Sequence, residues 1–176
     1  MNLTSTFDSA LTVEAFEQRL DSDQRALHET HGKRASIDSE AAARLAGSRV
    51  KRGLVITEHW CGDSLAIFPV LARLFEEAGV ELRIAPRDEN LELIDQYLTN
   101  GGRAIPILIG LDEGGAPLFR WGPRPAPAQR LLEENRQAIQ EGRIDKIEVY
   151  KQIRSFYARD AGRTIVREIV DSAVAA

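Results

Sequence analysis

The chain has 176 residues, 43% hydrophobic and 28% charged, with a formal net charge of -4. That length allows one domain with a substantial core and peripheral additions, and the composition excludes disordered and fibrous classes. The acidic balance gives no general pull toward nucleic acid or anionic membrane, no apolar run approaches the roughly 20 residues of a membrane span, and the first residues lack the pattern of a signal peptide, so a cytoplasmic location is expected.

To about Gly47 the chain reads as helical packing material. Phe16, Leu20 and Leu27 recur near helical spacing, and "DSEAAARLAG" has a polar start and a glycine stop. Between them "HETHGKRAS" reads as a polar break that leaves His28 and His31 in solvent. Leu54, Val55 and Ile56 then form a short branched run suited to a buried strand. The next helix carries Ile67, Phe68, Leu71, Leu74, Phe75 and Ala78 on one side and stops at Gly79.

"VELRIA" alternates as a strand, and "ENLELIDQYL" places Leu91, Ile94 and Leu98 at helical spacing before the punctuation of "NGG". "IPILIGL" and "APLFRW", joined by "DEGG", are expected to pair as a hairpin. "RPAPAQRLLEENRQAIQEG" enters a helix on prolines and leaves it at Gly142. Val149, Ile153, Phe156, Tyr157, Ile165 and Ile169 predict one or two further helices packed on the domain. The order from Gly53 to Gly142 is β-α-β-α-β-β-α, a small α/β layout. Three regions follow: a helical N-terminal extension at 1–48, a core at 49–142 and a helical C-terminal extension at 143–176.

The single cysteine, Cys61, stands where the first strand meets the first core helix. It excludes an intramolecular disulfide and a multi-cysteine zinc or iron–sulfur site within one chain, so any redox chemistry must borrow its second sulfur. His59 and Cys61 are two ligands, too few for a closed metal site, and no metal is expected. A helix N-terminus favours a thiolate by about 0.3–1 kcal/mol, toward 2 when partly buried. Asp63, in the same first turn, opposes that effect, whereas the Ser64 hydroxyl offers the sulfur a hydrogen bond. The bland alternative is an inert cysteine packed as a small hydrophobe.

These residues resemble the thioredoxin superfamily, whose reactive cysteine occupies that junction in a W-C-x-x-C motif. Here the motif reads Trp60-Cys61-Gly62-Asp63-Ser64. Pro69 falls where the family bends its helix, and Ile105-Pro106 where it has a cis-proline opening the third core strand. "RDEN", "DQYLTNGGRAIP" and "WGPRP" look like a bacterial thioredoxin-like subgroup. The resemblance, over roughly half the chain, implies a thioredoxin-like α/β fold: a central mixed four-stranded sheet flanked by helices, with extra helices at both ends.

Two departures matter. Ser64 replaces the resolving cysteine, and Val55 stands where thioredoxins keep a buried acid that helps that cysteine lose its proton. The resemblance then implies a monothiol thiol–disulfide oxidoreductase acting through Cys61, with an external thiol as resolving partner. Cys61-Gly62-Asp63-Ser64 also matches the C-G-x-S of monothiol glutaredoxins, but the Gly-Gly those proteins place near their last helix is absent there.

In such a fold Ile105 and Pro106 form the substrate platform. Trp60 and Trp121 offer an apolar wall, and Arg87, Arg103 and Arg124 are candidates to bind carboxylates of a low-mass thiol such as glutathione. No other cofactor is expected. Expected partners are a protein disulfide or low-mass disulfide, not nucleic acid or membrane, and the terminal helices leave a homodimer open. The alternative function is a non-catalytic peptide-binding or adaptor module that keeps the groove.

Overall fold

In the computed structural model, which describes residues 2–176, the chain opens with helix α1 (Thr4–Ser9), strand β1 (Leu11–Thr12) and helix α2 (Val13–Glu17). Helix α3 (Ser22–Arg34) starts at a capping box formed by Asp21 and Gln24, and α4 (Ser39–Ala46) starts at an Asp38 cap. There follow β2 (Arg52–Thr57), α5 (Gly62–Ala78), β3 (Glu81–Pro86), a 3-10 turn (Arg87–Glu89) and α6 (Leu91–Ile94). The chain ends with β4 (Ile107–Leu111), β5 (Pro117–Trp121), α7 (Ala126–Gln140), α8 (Lys146–Asp160) and α9 (Arg163–Ala175).

The strands form one mixed sheet in the order β1-β3-β2-β4-β5. It has five strands where four were expected. The additional one pairs Leu11 and Thr12 antiparallel with Ile84 and Arg83, and a two-residue strand is too short to leave a periodic signal. The N-terminal segment therefore supplies a sheet edge as well as helices.

Strand β2 lies in the centre, parallel to β3 and antiparallel to β4. Its alternation divides the core. Val55 faces the cluster built by Ile67, Leu71, Leu74 and Phe75 of α5, with α8 and α9 adding Ile153, Ile165 and Ile169. Leu54 and Ile56 face the other way, onto Ile107, Ile109, Phe7 of α1 and Ile94 of α6. Helices thus cover both sides, which is why the run is apolar without a polar alternate.

Helix α5 begins at Cys61 as N-cap and ends at Gly79, whose φ of 64 lets the Val80 N–H reach back to the Phe75 carbonyl. Pro69 sits inside it and denies the Leu65 carbonyl its helical donor.

Two local readings change. The segment "HETHGKR" is not a break but the body of α3, whose charged sequence shows no clear apolar stripe. His28 is buried there, its Nε2 2.9 Å from a Glu17 carboxylate oxygen and its ring 5.7 Å from that of Phe68, because α5 needs cover at that point. Leu27 instead is 51% exposed. The second change is in "ENLELIDQYL", where α6 lasts four residues and Leu91 and Leu98 are exposed. There the two oxygens of Asp95 hold Arg103 at 2.7 and 2.8 Å, and the chain turns between Thr99 and Gly102.

His31 is half-buried, and desolvation, then the charges of Arg34 and His28, pull its pKa below 6.5. A lowered folded-state value stabilises the fold above about 6.5 and loses that contribution as pH falls. Urea midpoints measured at pH 7.5 and 5.5 should therefore fall further for the wild type than for His31→Gln.

Candidate functional site

Cys61 is fixed by its neighbours on both sides. Its N–H donates to the Glu58 carbonyl at 3.3 Å, and its own carbonyl accepts from Leu65 N–H at 3.0 Å, the first turn of α5. The side chain makes no cap bond. The thiol instead points to the Ile105 carbonyl, at 3.8 Å from sulfur to oxygen, and is half-buried. The Ile105–Pro106 and Gly122–Pro123 peptide bonds are cis. Gly122 has φ of 112, and a Cβ on it would overlap the Pro106 carbonyl oxygen, so only glycine lets the "WGPRP" loop pass beside the Ile105–Pro106 loop.

Around the thiol lies a cleft of about 520 Å³. Trp60, Cys61, Gly62 and Asp63 form one wall and Arg103, Ala104 and Ile105 another. Trp60 is 49% exposed, and the Arg87 guanidinium lies 4.8 Å from its ring centroid. Arg87 also pairs with Asp88, whose N–H is held by the buried Glu58 carboxylate at 2.8 Å. A larger groove, about 860 Å³ between α2, α3 and α5, holds neither the thiol nor these arginines. The smaller cleft is therefore the candidate site.

Asp63 does not behave as a free helix-end acid. It is buried, with the Arg124 Nη2 at 2.5 Å from one carboxylate oxygen and the Tyr157 hydroxyl donating to the other at 2.8 Å. Burial works against the Arg124 charge, but Asp63 and the nearby Tyr150 and Tyr157 more than offset it, so the guanidinium pKa is raised. Burial, followed by the Asp63 charge, pushes the Tyr157 phenol far above its ordinary range, so it stays protonated and donates. The charge expected to repel a thiolate is thus paired.

Two expectations are corrected by packing. Ser64 is buried and accepts a 2.6 Å bond from the Thr57 hydroxyl, away from the cleft, so its expected bond to the sulfur is not formed. Trp121 is buried against α9, its Nε1 donating to Glu168 at 2.8 Å, and so is no wall of the cleft. Ile105 lines the cleft, whereas Pro106, expected to share the platform, does not line it; its carbonyl lies against Gly122.

The missing wall comes from α8: Tyr150, Ile153, Arg154 and Tyr157. Their spacing of three, four and seven residues puts them on one helical face, a pattern present in the sequence but equally the signature of core packing.

The family profile described as Thioredoxin matches residues 10–139. The chain belongs to the thioredoxin family. The match ends before α8, so in this thioredoxin-family protein the helix that closes the cleft lies beyond the matched region. No curated protein matches the sequence.

Two solved structures share the fold. One, a protein of unknown function from Pseudomonas aeruginosa, is 22% identical with a TM-score of 0.67, and the alignment covers 96% of this chain and 98% of that one. The other, an HIV epitope-scaffold, is 19% identical with a TM-score of 0.71, covering 100% and 99%. Such identities show the fold alone. Among the described residues no helix is long and apolar enough to cross a membrane.

Removing Arg124 should leave Asp63 buried and unpaired. Arg124→Met is expected to cost about 3–5 kcal/mol in urea unfolding, against about 1–3 kcal/mol for Tyr157→Phe. Alkylation of Cys61 at neutral pH should slow more in Arg124→Met than in Tyr157→Phe, because only the former removes the positive charge.

Proposed function

We propose that this protein is a monothiol thiol–disulfide oxidoreductase of the cytoplasm. The observation that carries the reading is the half-buried Cys61 at the start of α5, facing the Ile105 carbonyl across a cleft, in a chain with no other cysteine.

In the first step the Cys61 thiolate attacks one sulfur of a disulfide R–S–S–R′. A bond forms from Sγ to the sulfur of R, the original S–S bond breaks, and R′–S⁻ leaves with the electron pair and takes a proton from water. In the second step the thiolate of a low-mass thiol, such as glutathione, attacks the sulfur of R in the mixed disulfide. Cys61 departs as thiolate, and R leaves bonded to the external thiol. One disulfide is exchanged for another and one external thiol is consumed for each thiol released. Ser64 offers no internal shortcut, since it has no sulfur and is held by Thr57.

The first-turn N–H groups of α5 face the charge on Cys61 as it attacks in the first step and as it departs in the second. Ile105 presents the platform on which the disulfide lies, and Trp60 with Arg87 forms a wall beside it. The substrate is a protein or low-mass disulfide, and the only co-substrate is the thiol.

Intact-mass measurement of the native protein with hydroxyethyl disulfide should show one adduct, lost on addition of free thiol, and Cys61→Ser should form no adduct and give no turnover. Slow labelling of native protein with normal labelling after unfolding would identify a buried structural cysteine, leaving a peptide-binding module as the better account.

A further inference from the structure

The protein is acidic as a whole, yet the charged side chains lining the cleft around Cys61 are Arg87, Arg103, Arg124, Arg154 and a single carboxylate, Asp63. Three of the arginines are committed. Arg87 pairs with Asp88, Arg103 holds both oxygens of Asp95, and Arg124 is paired with Asp63. Arg154 is exposed on α8 and forms no ion pair or side-chain hydrogen bond among the described residues. It sits one position after Ile153 and three before Tyr157, on the helical face that Tyr157 and Asp63 tie to the thiol.

We propose that Arg154 is a specificity residue that selects a carboxylate-bearing low-mass disulfide for Cys61. The proposal rests on the oxidoreductase reading above and adds the charge and size of its substrate.

The charge argument is one of balance. The three paired arginines bring their own counter-ions, so the cleft keeps one uncompensated positive charge, and the guanidinium fork suits a carboxylate. A cleft walled partly by low-dielectric protein focuses that charge on an incoming anion. The size argument comes from α8. Its Tyr150 and Ile153 line the cleft together with Cys61 and Ile105, leaving about 520 Å³, within the range of small-molecule sites. The carboxylate needs no role in bond exchange. It holds the disulfide while Cys61 attacks one sulfur, and the electron bookkeeping stays that of the exchange already described.

Three low-mass disulfides of similar size test this: dithiodipropionate (anionic), hydroxyethyl disulfide (neutral) and cystamine (cationic). Rates of Cys61 adduct formation in wild type should favour dithiodipropionate over cystamine by about tenfold at low salt, with the preference shrinking as salt rises. Arg154→Gln should bring the ratio close to unity, Arg154→Glu should invert it, and Arg167→Gln, on α9 away from the cleft, should keep it. Equal rates for all three disulfides in wild type, or a ratio that responds equally to Arg154→Gln and Arg167→Gln, would overturn the assignment while leaving the oxidoreductase intact. Failure of native Cys61 to react with any of them, while the unfolded chain reacts normally, would instead overturn the underlying reading. Urea midpoints of the variants, expected to match wild type because Arg154 is exposed, separate a binding effect from misfolding.

Discussion

The contact of Asp63 with Arg124 and Tyr157 is the constraint on which the cleft around Cys61 depends. An acid in the first turn of α5 would, alone and buried, cost several kcal/mol and disfavour a neighbouring thiolate. Arg124 cancels that charge and Tyr157 satisfies the remaining oxygen, so one carboxylate joins the start of α5, the loop after β5 and the last turn of α8. The same contact therefore sets the electrostatics around the sulfur and brings the outer wall of the cleft to it.

The rest of the scaffold holds the other sides. Strand β2 is buried on both faces, which fixes the point where the chain leaves the sheet for α5 and so places Cys61. Gly122 allows two loops to approach more closely than a side chain would permit, and Glu58 holds the Asp88 N–H so that Arg87 can lie on Trp60. Side chains that line the cleft from loops are thus aligned by rigid elements behind them. Position 64 is closed by its bond to Thr57, and Val55 is fully buried among apolar neighbours.

Much of this was legible in short stretches. The branched run at Leu54–Ile56, the helical stripe from Ile67 to Ala78, the hairpin turn at "DEGG" and the cysteine at a strand–helix junction are local patterns, and the structure forms β2, α5 and the β4–β5 hairpin there. Less legible were features without local periodicity. Strand β1 is two residues long, α3 carries few apolar residues, and α6 stops because Asp95 turns to Arg103.

By itself, the sequence determined the α/β order, the isolation of Cys61 from any second sulfur and the location of that sulfur at a helix N-terminus, because each follows from residue type and spacing within one or two turns. Tertiary structure alone decided that Ser64 turns to Thr57, that Trp121 belongs to the core with Glu168, that Asp63 is neutralised and that α8 walls the thiol. Apart from Ser64 and Thr57, these outcomes join residues tens of positions apart, and all depend on which partner satisfies a buried polar group, a competition that no local pattern records.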